Sequence, residues 1–553
     1  MDDNEVTRRI PQLPTELEEA IFSHLIPTGA VTSRQSVGEN PQLSEEYDQF
    51  NDTLAHICLA SRRFHQIATR ILYHTAVLKD IRQLVLFFRT LATTPHLRHV
   101  VLRLVWAGFI PPAIPSGEHT GLTASRSMMA LVGDTWLLDS LRDSWRATKW
   151  PRPGDKQAEK IARHLYLVDP VHFCSGHILG AVLALAPRLQ SLFTVLNQTN
   201  RMIISPKGRV LRRCPEFSGV LQIPEWDLFQ YHSALPGSVP YPLRCRFLHS
   251  LKSISIEPHS DRNAESYWTL FILEPLLRSC PSLESIEIKG TASWRELRTR
   301  GDDWQPPAVT SDKVTQLVLT RATHPEDNMP TIADTFPKLQ SMYAEFVESS
   351  HAGTYRAWLT KEHFQNALAS LSETLVTLHF TSSPEEAWKF ISVEPLLHPV
   401  LQDMRSLKHL VVEFAWVFGW ENLVVAFDSS FLPRSLVSLH VIDFWGGAGK
   451  LYYPHFPGGV GPLEYLGNML DGILKGCQVG HLTEFRALRV TSSCFSSLPS
   501  KDTDSAYEIS QESVTAFDLY FTEAFAGSGV ELSLVGLEER MVHGQWKWST
   551  ISY

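Results

Sequence analysis

At 553 residues the chain is too long for one compact core, so it holds two or more domains or one extended repeat domain. Hydrophobic residues make up 44% and charged residues 20%, the balance of an ordinary globular protein, and a net charge of −9 with both signs mixed along the chain leaves no electrostatic footprint for nucleic acid. Seven cysteines without a C-x-x-C pair argue against zinc or redox chemistry, and the longest apolar run, residues 178–186, falls far short of the about 20 residues a bilayer requires. The expectation is a soluble intracellular protein, cytoplasmic or nuclear, with reduced thiols and neither nucleic acid nor membrane as a partner.

Residues 1–9 are charged and expected to be disordered. The first element follows at Leu13-Pro14-Thr15-Glu16-Leu17 and runs through Ile21, Phe22 and Leu25. Proline suits a first helical turn, Glu16, Glu18 and Glu19 suit the positive end of the helix dipole, and Pro27 with Gly29 closes a helix of about three turns. Leu17, Ile21 and Leu25 form one apolar stripe on an element too short to be stable alone, so it must pack on something. A polar stretch over residues 28–52 is expected to loop out, because loop length costs entropy only logarithmically. Leu54, Ile57, Cys58 and Leu59 then form a second apolar segment. Ser61 caps a third helix carrying Phe64, Ile67, Ala68, Ile71 and Leu72 at helical spacing. Three small helices should share one core.

The pattern L-P-x-E-L-x-x-x-I-F-x-x-L, followed by L-x-x-I-C-L-A-S-R-R-F, resembles the F-box, the helical module by which substrate receptors dock on the Skp-family adaptor of cullin-RING ubiquitin ligases. The likeness covers about residues 10–73. It implies an adaptor-binding surface made or supported by Leu13, Pro14, Leu17, Ile21 and Leu25. The link over residues 28–52 is longer than the family's usual one. A three-helix cap on a solenoid, with no adaptor, is the plainer alternative.

Beyond this module a phrase L-x-x-L-x-[VILF] recurs, among its copies Leu97-Val100-Leu102, Leu189-Leu192, Leu251-Ile254-Ile256, Leu339-Met342-Ala344 and Phe485-Leu488-Val490. From Leu251 to Leu436 successive copies start 32, 31, 25, 36, 32 and 29 residues apart. Such a period means one supersecondary unit per repeat that buries its apolar face only by stacking on its neighbours. The last two apolar residues of each phrase sit two apart, as in a strand. The intervening segments read as helices, for example residues 267–279. This resembles an irregular leucine-rich-repeat solenoid, without the usual Asn after the strand. A doubly wound α/β enzyme fits less well, because the strands are very short and no glycine-rich turn follows any of them.

If the apolar pair of each phrase faces inward, the residues between and after face out. That puts Glu287, Lys289, Val318, Tyr343, His379, Val411, Glu413, His440 and Arg489 on one exposed sheet face, which is either a place for a protein substrate or a plain solvated surface. Aromatic segments at residues 414–420 and 444–453, with Trp416 and Trp445, would contribute to binding or else roof the core.

No catalytic pattern emerges. Residues 446–450 fail the phosphate-loop spacing, His172, Cys174 and His177 lack a second ligand cluster, and neither a G-x-S-x-G elbow nor an H-E-x-x-H helix occurs. No metal and no cofactor are expected, and no catalytic residue is assigned. The sequence therefore predicts an α/β protein: a three-helix F-box-like module over residues 10–80, then an irregular leucine-rich-repeat-like solenoid over residues 81–553, with short parallel strands alternating with helices and an insertion at about residues 108–170. By resemblance it would be a non-catalytic substrate receptor, holding the Skp-family adaptor, and through it a cullin scaffold, at one end and an unidentified protein substrate at the other. A scaffold using the repeats alone is the second possibility.

Overall fold

A computed structural model describes residues 14–24, 41–109, 185–196, 248–258, 280–289, 310–322, 325–346, 361–382, 397–418, 428–443, 462–492, 511–542 and 545–551, with isolated positions between them. The chain divides into two units, Met1–Ala264 with Ser279–Ser282, and Glu265–Arg278 with Leu283–Tyr553.

The first unit opens with helices α1 (Thr15–Ser23), α2 (Pro41–Ala60) and α3 (Arg62–His74). Ser61 is the N-cap of α3, its hydroxyl oxygen accepting a hydrogen bond from the Phe64 amide at 3.1 Å. Phe50, Leu54, Ile67, Ala68 and Ile71 form a buried cluster, with Phe22, Ile57, Cys58 and Leu72 packed against it. The expected loop over residues 28–52 is corrected by α2, which starts at Pro41. Phe50 and Leu54 lie one helical turn apart, and burying that pair makes helical a stretch that reads as polar. Residues 28–40 lie outside the described residues.

Strand β1 (Thr75–Asp80) and helix α4 (Ile81–Thr93) follow, then β2 (Arg103–Phe109), β3 (Ser191–Leu196) and β4 (Ser253–Pro258). The four strands pair in parallel in chain order. One row across them, Ala76, Leu104, Leu192 and Ile254, is wholly apolar and buried. The phrase expected at Leu97-Val100-Leu102 is shifted. A 3₁₀ turn over Pro95–His99 absorbs Leu97, and Val101, just before the strand, is buried instead, with Leu104 and Trp106 on it. Most of the expected insertion at residues 108–170 lies outside the described residues.

The second unit contains β6 (Ser285–Lys289), β8 (Gln316–Ala322), β9 (Ser341–Phe346), β10 (Thr377–Ser382), β11 (His409–Glu413), β12 (Ser438–Asp443), β13 (Ala487–Ser492) and β14 (Glu531–Val542), in that order and parallel. A separate two-stranded pair joins β5 (Trp268–Thr269) to β7 (Thr291–Ala292), so strand stands at residues 268–269 where helix was expected. Helices α5 (Pro325–Thr335), α6 (Lys361–Ala369), α7 (His398–Leu401), α8 (Phe414–Phe418), α9 (Pro462–Gln478) and α10 (Gln511–Ala526) alternate with the strands. The last strand, β15 (Gln545–Ile551), runs antiparallel to β14, an ending the repeat phrase did not foreshadow. The architecture is α/β and solenoid-like: an all-parallel run of strands alternating with helices.

The repeat phrase is the core. Leu283, Ile286 and Ile288, Leu375, Leu378 and Phe380, and Phe485, Leu488 and Val490 are all buried. Most of the described strand entries are fixed by one carbonyl that accepts two amides of the next repeat. The Gln340 carbonyl takes the Val376 and Thr377 amides at 2.8 and 2.9 Å, the Val376 carbonyl takes those of Lys408 and His409, and the Lys408 carbonyl takes those of Val437 and Ser438. These bonds set the register, and the register sets which side chains share a face.

Candidate functional site

Helix α1 is attached by a stripe other than the expected one. The Pro14 carbonyl accepts the Leu17 and Glu18 amides, which starts the helix. Its contact with α3 runs through Glu18 and Phe22, one turn apart. The Glu18 carboxylate is buried and lies 2.8 Å from Nε of Arg63, and the Phe22 ring meets Phe64 edge to face at 5.5 Å. Leu17 and Ile21, on the neighbouring stripe, are left 51% and 52% exposed. Pro14 is exposed as well. Leu13 and Leu25 lie outside the described residues.

In the second unit, backbone register aligns Glu287, Val318, Tyr343, His379, Val411, His440, Arg489 and Ser533 in one row across β6 to β14. Lys289 stands one step further along β6, opposite Thr320. Glu287, Lys289, Tyr343, His379 and His440 are half-buried and Arg489 is exposed, whereas Val318 and Glu413, expected to be exposed, are buried. Trp416 requires a correction. It lies 6% exposed in α8 with its ring edge to face on core Phe380 at 5.0 Å, because α8 folds straight back from β11, so it closes the core rather than facing a partner. Trp445 lies outside the described residues.

Two pairs organise the face. The Tyr343 and His379 rings lie 4.0 Å apart at 43°, and Nε2 of His379 is 3.3 Å from the Thr381 hydroxyl. Nε2 of His440 is 2.8 Å from the hydroxyl of Thr491, itself buried. Thr381 is legible by strand alternation, two residues after His379. Thr491 meets His440 only through the parallel register. Among the described residues no group of three or more metal-ligating side chains occurs, and no helix is long and apolar enough to cross a membrane. The face presents half-buried planar rings backed by buried hydroxyls, and one exposed guanidinium.

Burial first, and the neighbouring Arg489 second, push the His440 imidazole from 6.5 down to about 4. The unfolded chain therefore binds the proton more readily than the folded one between those values. The associated stability is complete above pH 6.5 and lost as pH falls through about 4. His440→Gln, which can still bond Thr491, is expected to flatten the fall in unfolding free energy between pH 7 and 4 by an amount on the order of 3 kcal/mol. Parallel pH profiles for the two proteins in urea titrations would contradict this assignment.

No protein-family model matches this chain, and no curated protein matches it either.

Proposed function

We propose that the chain is a substrate-recognition subunit of a Skp-cullin-F-box type ubiquitin ligase. Residues 10–80 act as an F-box-like module that docks on the Skp-family adaptor, and the repeat strands hold a protein substrate. The observation that carries this reading is the exposed Leu17 and Ile21 pair on a helix whose other side is anchored by Glu18 and Phe22. A helix that turns an acidic residue inward and two large aliphatic side chains outward spends burial energy that a partner can recover. The L-P-x-E-L opening, with the S-R-R-F segment that supplies Arg63 and Phe64, gives the same reading from sequence. The chain supplies no chemical group of its own to the transfer; acceleration comes from holding the substrate at high effective concentration beside the transfer machinery. The setting would be cytoplasmic or nuclear.

Co-purification of the full chain with the Skp-family adaptor tests this. Burying the exposed halves of two aliphatic side chains contributes about 2–3 kcal/mol, so Leu17→Glu/Ile21→Glu is expected to weaken adaptor binding by about 30- to 150-fold without lowering the melting temperature. A wild-type chain that binds no adaptor would sink the proposal, and adaptor binding without a cullin would leave an interaction scaffold.

A further inference from the structure

We infer that the Arg489 end of the sheet face in the second unit receives an anionic group, a carboxylate or phosphoryl oxygen, carried by an extended peptide whose planar or apolar side chain lies on Tyr343 and His379. The inference rests on reading this face as a partner-binding surface and adds the chemical class of the partner.

Arg489 is exposed and, among the described residues, makes no hydrogen bond or ion pair. Its row neighbours are His440 on β12 and Ser533 on β14, with Val411 beyond His440, so no carboxylate shares that stretch of the row. In the adjoining rows stand Glu531, on β14 opposite Ala487, and Glu413 on β11, which is buried. Neither forms an ion pair with Arg489. His440 is held through Nε2 by Thr491. Its other ring nitrogen has no partner among the described residues, and the neutral ring can take up a second proton when an anion arrives. Without one, burial and Arg489 keep the ring neutral, so an anion at this place would satisfy both groups.

The spacing adds a second requirement. β10 and β13 are three strands apart, about 14 Å at the usual separation, which an extended peptide crosses in about four residues. A segment lying across the strands therefore places its planar or apolar side chain about four residues from its anionic one. Arg489 suits that end because guanidinium binds carboxylate and phosphoryl oxygens through paired donors.

The test uses the full chain and three fluorescently labelled nonapeptides with Phe at the third position and Glu, phosphoserine or Gln at the seventh. The Glu peptide, the phosphoserine peptide, or both are expected to bind at least 10-fold more tightly than the Gln peptide, and whichever binds identifies the source of the anion. That advantage should vanish in Arg489→Gln, survive in part in Arg489→Lys, and be accompanied by an upward shift of the His440 imidazole titration in NMR. Equal binding of all three peptides, still lost in Tyr343→Ala, would overturn the anionic subsite while leaving the face a binding surface. Binding by none would overturn both. Adaptor co-purification is read separately, since Arg489→Gln leaves α1 untouched.

Discussion

Phe380→Ala is expected to destabilise the second unit by about 3–5 kcal/mol, the range for truncating a fully buried aromatic ring. Phe380 is 1% exposed on β10 and meets the rings of Phe364 at 5.6 Å and Trp416 at 5.0 Å, both edge to face. Removing the ring therefore deletes two aromatic contacts as well as opening a cavity between α6, α8 and the sheet. Because repeats depend on their neighbours, the loss should also broaden the urea transition, as repeats on either side of β10 begin to unfold separately. Phe380→Leu should cost clearly less. A measured loss below about 1 kcal/mol for the alanine variant would mean that the core is not packed as described.

The second large effect is expected at Gly476, near the end of α9. An added Cβ there would overlap the Ser429 hydroxyl and stand 3.0 Å from the Ser429 Cβ and 3.3 Å from Cδ1 of Leu482. Ser429 cannot withdraw easily. It is buried in a 3₁₀ turn, Ser429–Phe431, capped by Asp428, whose carboxylate accepts bonds from the Ser430 amide at 2.9 Å and hydroxyl at 2.6 Å. The helix cannot shift either, because the Gly476 carbonyl accepts the His481 and Leu482 amides and Gly480 turns the chain at φ +79. Helix propensity alone would favour alanine by about 1 kcal/mol. Steric overlap is expected to win, so Gly476→Ala should destabilise by about 1–3 kcal/mol and Ser429→Gly in the same chain should recover part of it. A stabilised Gly476→Ala variant in thermal melts would contradict the packing of α9 on this turn.

How far these features can be read from sequence differs for physical reasons. The phrase L-x-x-L-x-[VILF] marks buried residues well because strand alternation and a regular entry turn fix which side chains point inward. It fails at Leu97, where Val100, Val101 and Leu102 are all apolar and several registers look alike. The orientation of α1 was hidden. Its apolar stripe is plain in sequence, yet the helix docks through Glu18, whose burial depends on Arg63 in another helix. The polar run before Phe50 reads as a loop because the packing of Phe50 and Leu54 that holds it helical is tertiary. On the sheet face, strand alternation places Tyr343, His379 and His440 on one side. The pairing of His440 with Thr491 needs the register across two strands, and the burial of Trp416 needs the reversal of the chain into α8.

The proposed recruitment of substrate by this chain depends on α1 as a docking helix. Amide hydrogen exchange of the full chain, with and without the Skp-family adaptor, tests that most directly, because a helix of nine residues attached through Glu18 and Phe22 should exchange quickly on its own. A docking helix should show strong slowing over Thr15–Ser23 on adding adaptor, with β6 to β14 unchanged, and no slowing in Leu17→Glu/Ile21→Glu. Adaptor that leaves α1 exchange unaltered, or that protects the repeat strands instead, would contradict that role.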